Sequence, residues 1–128
     1  MSNCLDNLSK NEAEGKVILY SSQTKLEDGI ILDDNIIKLC KDKLRRHILN
    51  TNDVILRGKH NYENACAAIA ATSSLVEPEQ AAKVIKEFKG VEHRLELVRE
   101  LNGVKWYNDS IGSSPTRTIA GLNSFDER

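Results

Sequence analysis

Residues 57–72 read R-G-K-H-N-Y-E-N-A-C-A-A-I-A-A-T. From Ala65 to Ala71 the run is small and apolar, which suits a helix that another element approaches closely. The stretch is therefore predicted as a packed helix over about residues 61–75. His60, Asn61 and Asn64 stand at its start, with Gly58 just before them. An asparagine side chain at 61 can accept a free first-turn N–H and cap the helix. Asn64, one turn on, falls on nearly the same face, and capping does not require it. Two carboxamides so placed also suit a planar ligand edge, since each offers a donor and an acceptor. A helix start favours an anion as well. Both readings of Asn61 stay open at this point.

Upstream, residues 17–20 (VILY) are β-branched and aromatic and are predicted as a short buried strand. Two apolar runs, 30–32 and 36–39, flank Asp33-Asp34-Asn35 and are predicted to form a hairpin. A further short strand is expected near Ile48. Downstream, Pro78 suits the first position of a second helix, Glu79 its positive end, and Ala81, Ile85 and Phe88 one face. Gly90 is expected to stop that helix in a left-handed conformation. Beyond it the pattern alternates, with Leu95, Leu97, Leu101, Val104 and Trp106 on one side of a hairpin turning at Asn102-Gly103. Leu101 should face Val104, and Glu100 should face Lys105. A glycine-serine loop then enters a helix near Pro115. The order is strand, hairpin, two helices, hairpin, loop, helix, an α/β arrangement with a boundary expected near residues 90–91.

The chain has 128 residues, 29% of them charged, and a formal net charge of −1. No block of one sign is long enough for a nucleic-acid patch or a membrane-surface helix. The first ten residues hold no apolar run, so no signal peptide is expected. The longest apolar run falls far short of the ~20 residues of a membrane span. Cys4, Cys40 and Cys66 have no CxxC spacing and read as reduced thiols of a cytoplasmic protein, with Cys40 and Cys66 as packing residues.

Several residues carry candidate chemistry. Arg94, beside His93, offers a guanidinium fork for phosphate, against the plainer reading of a solvated strand start. Asp109 can accept two ribose hydroxyls or hold a metal, or simply make a turn. Trp106 reads as core. Neither Gly15-Lys16 nor Gly58-Lys59 continues into a phosphate-loop signature. The three histidines are too scattered to suggest a zinc site.

His-Asn-x-x-Asn at 60–64, His-Arg at 93–94 and Asn-Asp-Ser at 108–110, at these separations, resemble the Mur ligase family. The likeness is strong over residues 57–125 and fainter over 1–56. Within the family it is to the members that add D-glutamate to UDP-N-acetylmuramoyl-L-alanine, in peptidoglycan synthesis. The resemblance implies that residues 1–90 form the end of a central ATPase domain and residues 91–128 the start of a Rossmann-like C-terminal domain. It implies ATP and Mg2+ as cofactors of the full-length enzyme, no nucleic acid, no membrane and a monomeric protein. By the same likeness, Asn61 and Asn64 lie near the adenine and Arg94 reaches phosphates or ribose. Asp109 contacts the ribose, His60 and His93 flank the nucleotide, and Ser113 lies near D-glutamate. Ile111 departs from the lysine that many relatives carry there. The family reaction passes through an acyl phosphate that the amine of D-glutamate attacks. The phosphate loop and the magnesium-holding residues of the family are absent from this chain, so the isolated chain is expected to be inactive. The alternatives are a non-catalytic nucleotide- or protein-binding module, or another Mur or folylpolyglutamate-type ligase.

Overall fold

The computed structural model describes residues 14–125. Among these residues the architecture is mixed α/β, with a four-stranded sheet, a separate two-stranded sheet and three α-helices. The strands of the first sheet are β1 (Tyr20–Ser21), β2 (Gly29–Asp33), β3 (Ile36–Lys41) and β4 (Leu44–Asn50), in that order across the sheet. β1 runs parallel to β2, and the other pairs are antiparallel.

Turn chemistry explains this sheet. Asp33 pairs with Ile36, and Asp34 between them takes a positive φ of 53°, a conformation Asp tolerates. The next turn places Asp42 and Lys43 at φ 50° and 66°. Both positive angles match the twist that two-residue hairpins need. The strand expected near Ile48 is thus seven residues long. A bulge at Ile48 lets it and Leu49 both be buried.

The expected strand at 17–20 is corrected. Only Tyr20 and Ser21 pair, Tyr20 is exposed, and Ile18 packs against the core from outside a strand. The Leu19 carbonyl instead accepts the Ile30 N–H at 2.9 Å.

α1 (Lys59–Thr72) lies on this sheet and buries Ala65, Cys66, Ile69 and Ala70. These meet Ile30, Ile37 and Leu49 in one apolar cluster, to which α2 (Pro78–Glu87) adds Ala82. The alanines keep α1 close to the strands, as the composition of 65–71 implied. α1 starts two residues earlier and ends three earlier than the sequence suggested. α2 begins at Pro78 as expected but ends at Glu87, where Phe88 turns extended. Gly90 does take a positive φ, 103°, yet it sits beyond the helix end and shapes the connector.

Cys40 and Cys66 are buried free thiols, in keeping with a packing role. Burial, helped by the nearby Glu63 carboxylate, pushes the Cys66 thiol up to about 12. It is therefore protonated and shielded at neutral pH. Alkylation of Cys66, followed by peptide mass mapping, is expected only when the chain unfolds. Labelling at the rate of an exposed thiol in the native protein would contradict this packing.

The second sheet pairs β5 (Glu96–Leu101) with β6 (Val104–Asn108) around Asn102-Gly103. Leu101 faces Val104 and Glu100 faces Lys105, as the turn predicted. One expectation fails here. The register slips at Val98, so Leu97 pairs with Tyr107 while Arg99 pairs with Trp106. Leu97 therefore shares a face with Lys105 and Tyr107, and Leu101, Val104 and Trp106 stand on the other. That second face is not core: Trp106 is 58% exposed and Val104 55%. α3 (Pro115–Leu122) follows, capped by the Ser114 hydroxyl, which accepts the Arg117 N–H at 3.4 Å.

Candidate functional site

Two cavities open between α1 and the segments that follow residue 90. The larger, about 490 Å³, is bounded on one side by Asn61, Asn64, Ala65 and Ala68. Those positions are spaced i, i+3, i+4, i+7, a single stripe of α1 beside the stripe that faces the sheet. Opposite them stand Leu97, Lys105 and Tyr107, brought to one face by the bulge at Val98. Phe88 and Phe125 add aromatic wall, and Phe125 packs on Tyr107 with ring centroids 4.7 Å apart. The charged residues on the lining are Arg57, Lys89, Arg94 and Lys105, and no carboxylate lines it. An apolar slot rimmed by cations and carboxamides suits a flat, partly apolar molecule that carries negative charge.

The smaller cavity, about 180 Å³, lies where His60, Arg94 and Asp109 meet the start of α3. Arg94 lines both cavities.

Asn61 does not cap α1. The cap is Gly58, at φ 100°, with no side-chain bond, and Asn61 is already inside the first turn. Its Nδ2 donates to the Arg57 carbonyl at 2.6 Å, tying the preceding segment to the helix. Gly58 is required for closeness as well as for its angle. A Cβ there would collide with the Ser124 hydroxyl, so only glycine lets the end of α3 reach the start of α1.

Arg94 owes its position to unusual neighbours. His93 and Leu95 take φ values of 65° and 47°, rare for residues with side chains. The flanking hydrogen bonds hold them there. The His93 N–H donates to Glu96 Oε2 at 2.8 Å, and the Leu95 N–H to Asp109 Oδ1 at 3.3 Å. The His93 ring lies 2.9 Å from the Asn108 carboxamide. His93 itself lines neither cavity. Ser113 lines neither as well; its N–H donates to the Ile111 carbonyl at 2.7 Å.

His60 is held below its ordinary value, first by burial and then by the Arg94 guanidinium, with Glu63 and Asp109 opposing. The folded chain thus binds the His60 proton less readily than the unfolded chain does. Stability from this source is fully present above the unfolded value near 6.5 and is lost as pH falls from there through the lower value of the folded chain. His60→Gln should flatten this acid-side loss in unfolding measured by denaturant at a series of pH values. An NMR titration placing His60 at or above 6.5 would refute the assignment.

Of the seven candidate residues, then, Asn61, Asn64 and Arg94 share the larger cavity, and His60, Arg94 and Asp109 share the smaller. Sequence reasoning missed Lys105, Tyr107 and Arg117. The first two needed the bulge, and nothing in the local sequence marks Arg117. Among the described residues no group of three His, Cys, Asp or Glu side chains could hold a metal ion. No helix among them is long and apolar enough to cross a membrane.

No family model matches the chain. Over 117 of its residues, 91% of its length, the chain is 50% identical to the UDP-N-acetylmuramoylalanine–D-glutamate ligase of Acetivibrio thermocellus. The protein of that name from Clostridium beijerinckii is equally similar over the same share. That of Clostridium novyi is 43% identical over 125 residues, 98% of the chain. The chain spans about a quarter of the length of these curated relatives: 25%, 25% and 26%.

Proposed function

Because the chain is homologous over nearly its whole length to one quarter of these ligases, we propose that it is a segment of an ATP-dependent ligase. The full enzyme would join D-glutamate to UDP-N-acetylmuramoyl-L-alanine through an acyl phosphate, in peptidoglycan synthesis. In this reading residues 1–90 close a central ATPase domain and residues 91–128 open the C-terminal domain. The larger cavity receives the adenine of ATP, and the ribose would reach Asp109 at the smaller cavity.

One observation carries the reading. Asn61 and Asn64 on α1 and Arg94, some thirty residues later, line the same apolar cavity from opposite sides of the expected boundary. The residues fit the group: aromatic and aliphatic walls would take a base, the carboxamides suit its edge, and the Arg94 guanidinium would hold ribose or phosphate oxygens. When bound, ATP supplies the phosphoryl group that turns a poor carboxylate electrophile into a good one. The residues of this chain bind and orient. Asn61 and Asn64 hold the planar edge, and Phe88, Tyr107 and Phe125 keep water from its faces. Arg94, fixed by its strained neighbours, sets the distance between the two parts. Asp109 takes ribose hydroxyls, and His60, neutral at working pH, adds no competing charge. No step is assigned to magnesium on this chain, since the described residues hold no cluster for it.

The test is a segment exchange. The matching segment of the Acetivibrio thermocellus ligase is replaced by this chain, and D-glutamate-dependent ADP release is followed. We expect activity to be retained, and Arg94→Ala in the exchanged protein to lower kcat/KM for ATP by about 10- to 100-fold, the value of a lost charge-assisted hydrogen bond. The isolated 128-residue chain should give no such release. An exchanged protein that folds but does not ligate would sink the reading, and ligation by the isolated chain would overturn its expected inactivity.

A further inference from the structure

We propose that Glu96 is a positioning residue for Arg94: together with Asn108 and Asp109 it clamps the turn at residues 93–95 in the strained form that brings Arg94 to both cavities. What Arg94 is positioned for rests on the nucleotide reading, but the clamp itself does not.

Strain and its restraints carry the inference. His93 and Leu95 are left-handed, at φ 65° and 47°, and Arg94 stands between them. Residues with a Cβ keep that conformation only where their surroundings over-determine it, and a leucine there is a clear outlier. Each of the two strained residues has its N–H held by a carboxylate. Glu96 Oε2 accepts the His93 N–H at 2.8 Å, and Asp109 Oδ1 accepts the Leu95 N–H at 3.3 Å. Backbone bonds complete the frame: the His93 carbonyl accepts the Ile111 N–H at 3.2 Å, and the Arg94 N–H donates to the Val91 carbonyl at 3.2 Å. Glu96 and Asn108 are cross-strand partners at the end of β5–β6 away from its turn, and both side chains reach back to His93. The Asn108 carboxamide meets the His93 ring at 2.9 Å. Of the two carboxylate bonds, that of Glu96 is the shorter, and a bond to an ionised acceptor is stronger than a neutral one. Glu96 lines neither cavity, so it reaches a ligand there only through the turn it holds. Without its carboxylate His93 is free to return to negative φ, and rotation about that bond redirects the whole of Arg94.

The test uses the segment-exchanged ligase, as parent and with Glu96→Ala, Glu96→Gln, Arg94→Ala and the double substitution Glu96→Ala with Arg94→Ala. We expect Glu96→Ala to raise KM for ATP and lower kcat/KM for ATP about tenfold, with KM for D-glutamate unchanged. Glu96→Gln keeps an acceptor for the His93 N–H and should recover most of the loss. Once Arg94 is alanine, Glu96→Ala should cost nothing further, because the two act as one unit. If the parent is active and Glu96→Ala changes kcat/KM for ATP by less than about twofold, the proposal is wrong and the ligase reading stands. A loss that multiplies with that of Arg94→Ala, or an equal rise in both KM values, also overturns it. The clamp is read without any ligand in the 128-residue chain, from the backbone chemical shifts of residues 93–95 by NMR. Glu96→Ala should move them away from left-handed values, and Glu96→Gln should not. An unchanged turn in Glu96→Ala overturns the proposal whatever the kinetics. If the turn loosens while the exchanged parent folds and does not ligate, the clamp stands and the ligase reading falls.

Discussion

Ile69→Ala is expected to lower the unfolding free energy of the chain by about 2–5 kcal/mol, measured by urea denaturation. Ile69 is buried at the centre of the cluster that joins α1 to Ile30, Ile37 and Leu49. Truncation removes apolar contacts and leaves a hole that a helix already close to its sheet cannot collapse to fill. The effect should reach the site. The stripe of Asn61, Asn64, Ala65 and Ala68 is fixed only as firmly as the buried stripe beside it. Val84→Ala is the control. It shortens an aliphatic side chain on α2 that is mostly exposed, and should change stability by no more than about 0.5 kcal/mol. Equal effects from the two substitutions would mean that α1 does not pack on this sheet as described.

Gly29→Ala should cost about 2–4 kcal/mol in the same measurement, although it adds only one methyl group. Gly29 has φ 133°, where residues with a Cβ are strained. Its added Cβ would also collide with the Leu19 carbonyl. That carbonyl accepts the Ile30 N–H, so it cannot withdraw without breaking the bond that leads β1 alongside β2. The other glycines grade the effect. Gly103 is at φ 81° with open space around it, so its alanine variant should cost only about 1 kcal/mol of backbone strain. Gly15 has neither constraint, and Gly15→Ala should be neutral. If Gly29→Ala proved no worse than Gly103→Ala, the close approach of Leu19 would be wrong.

Local chemistry made much of the fold legible. Asp33-Asp34-Asn35 and Asn102-Gly103 announce hairpins because few residues tolerate positive φ. Pro78 marks a helix start because it needs no donor there, and the alanines of 65–71 announce a helix that something must approach. What local reasoning misjudged was burial and face. Residues 17–20 have strand composition, yet only Tyr20 and Ser21 find a partner. Trp106 has the size of a core residue, yet it lies on the face of β5–β6 turned away from the cavity. The bulge at Val98 decides that, and a bulge leaves no sign in an alternating pattern.

The candidate site divides in the same way. Asn61 and Asn64 were visible as a pair because helical spacing alone puts them on one face. Arg94 and Asp109 were singled out by residue type, but only the family likeness joined them with His60 in one nucleotide site, since no local rule links positions so far apart. Residue type, periodicity and turn preference are properties of neighbours along the chain, so the sequence by itself determined the elements, their order and the helix stripe that carries the carboxamides. Only the tertiary structure decided that Arg94 lines both cavities and that Tyr107 and Lys105 share a wall with Leu97. It likewise decided that Gly58 admits Ser124 and that Arg117 lines the smaller cavity together with Arg94. Each of these depends on how closely two distant backbones approach, which packing sets and spacing along the chain does not record.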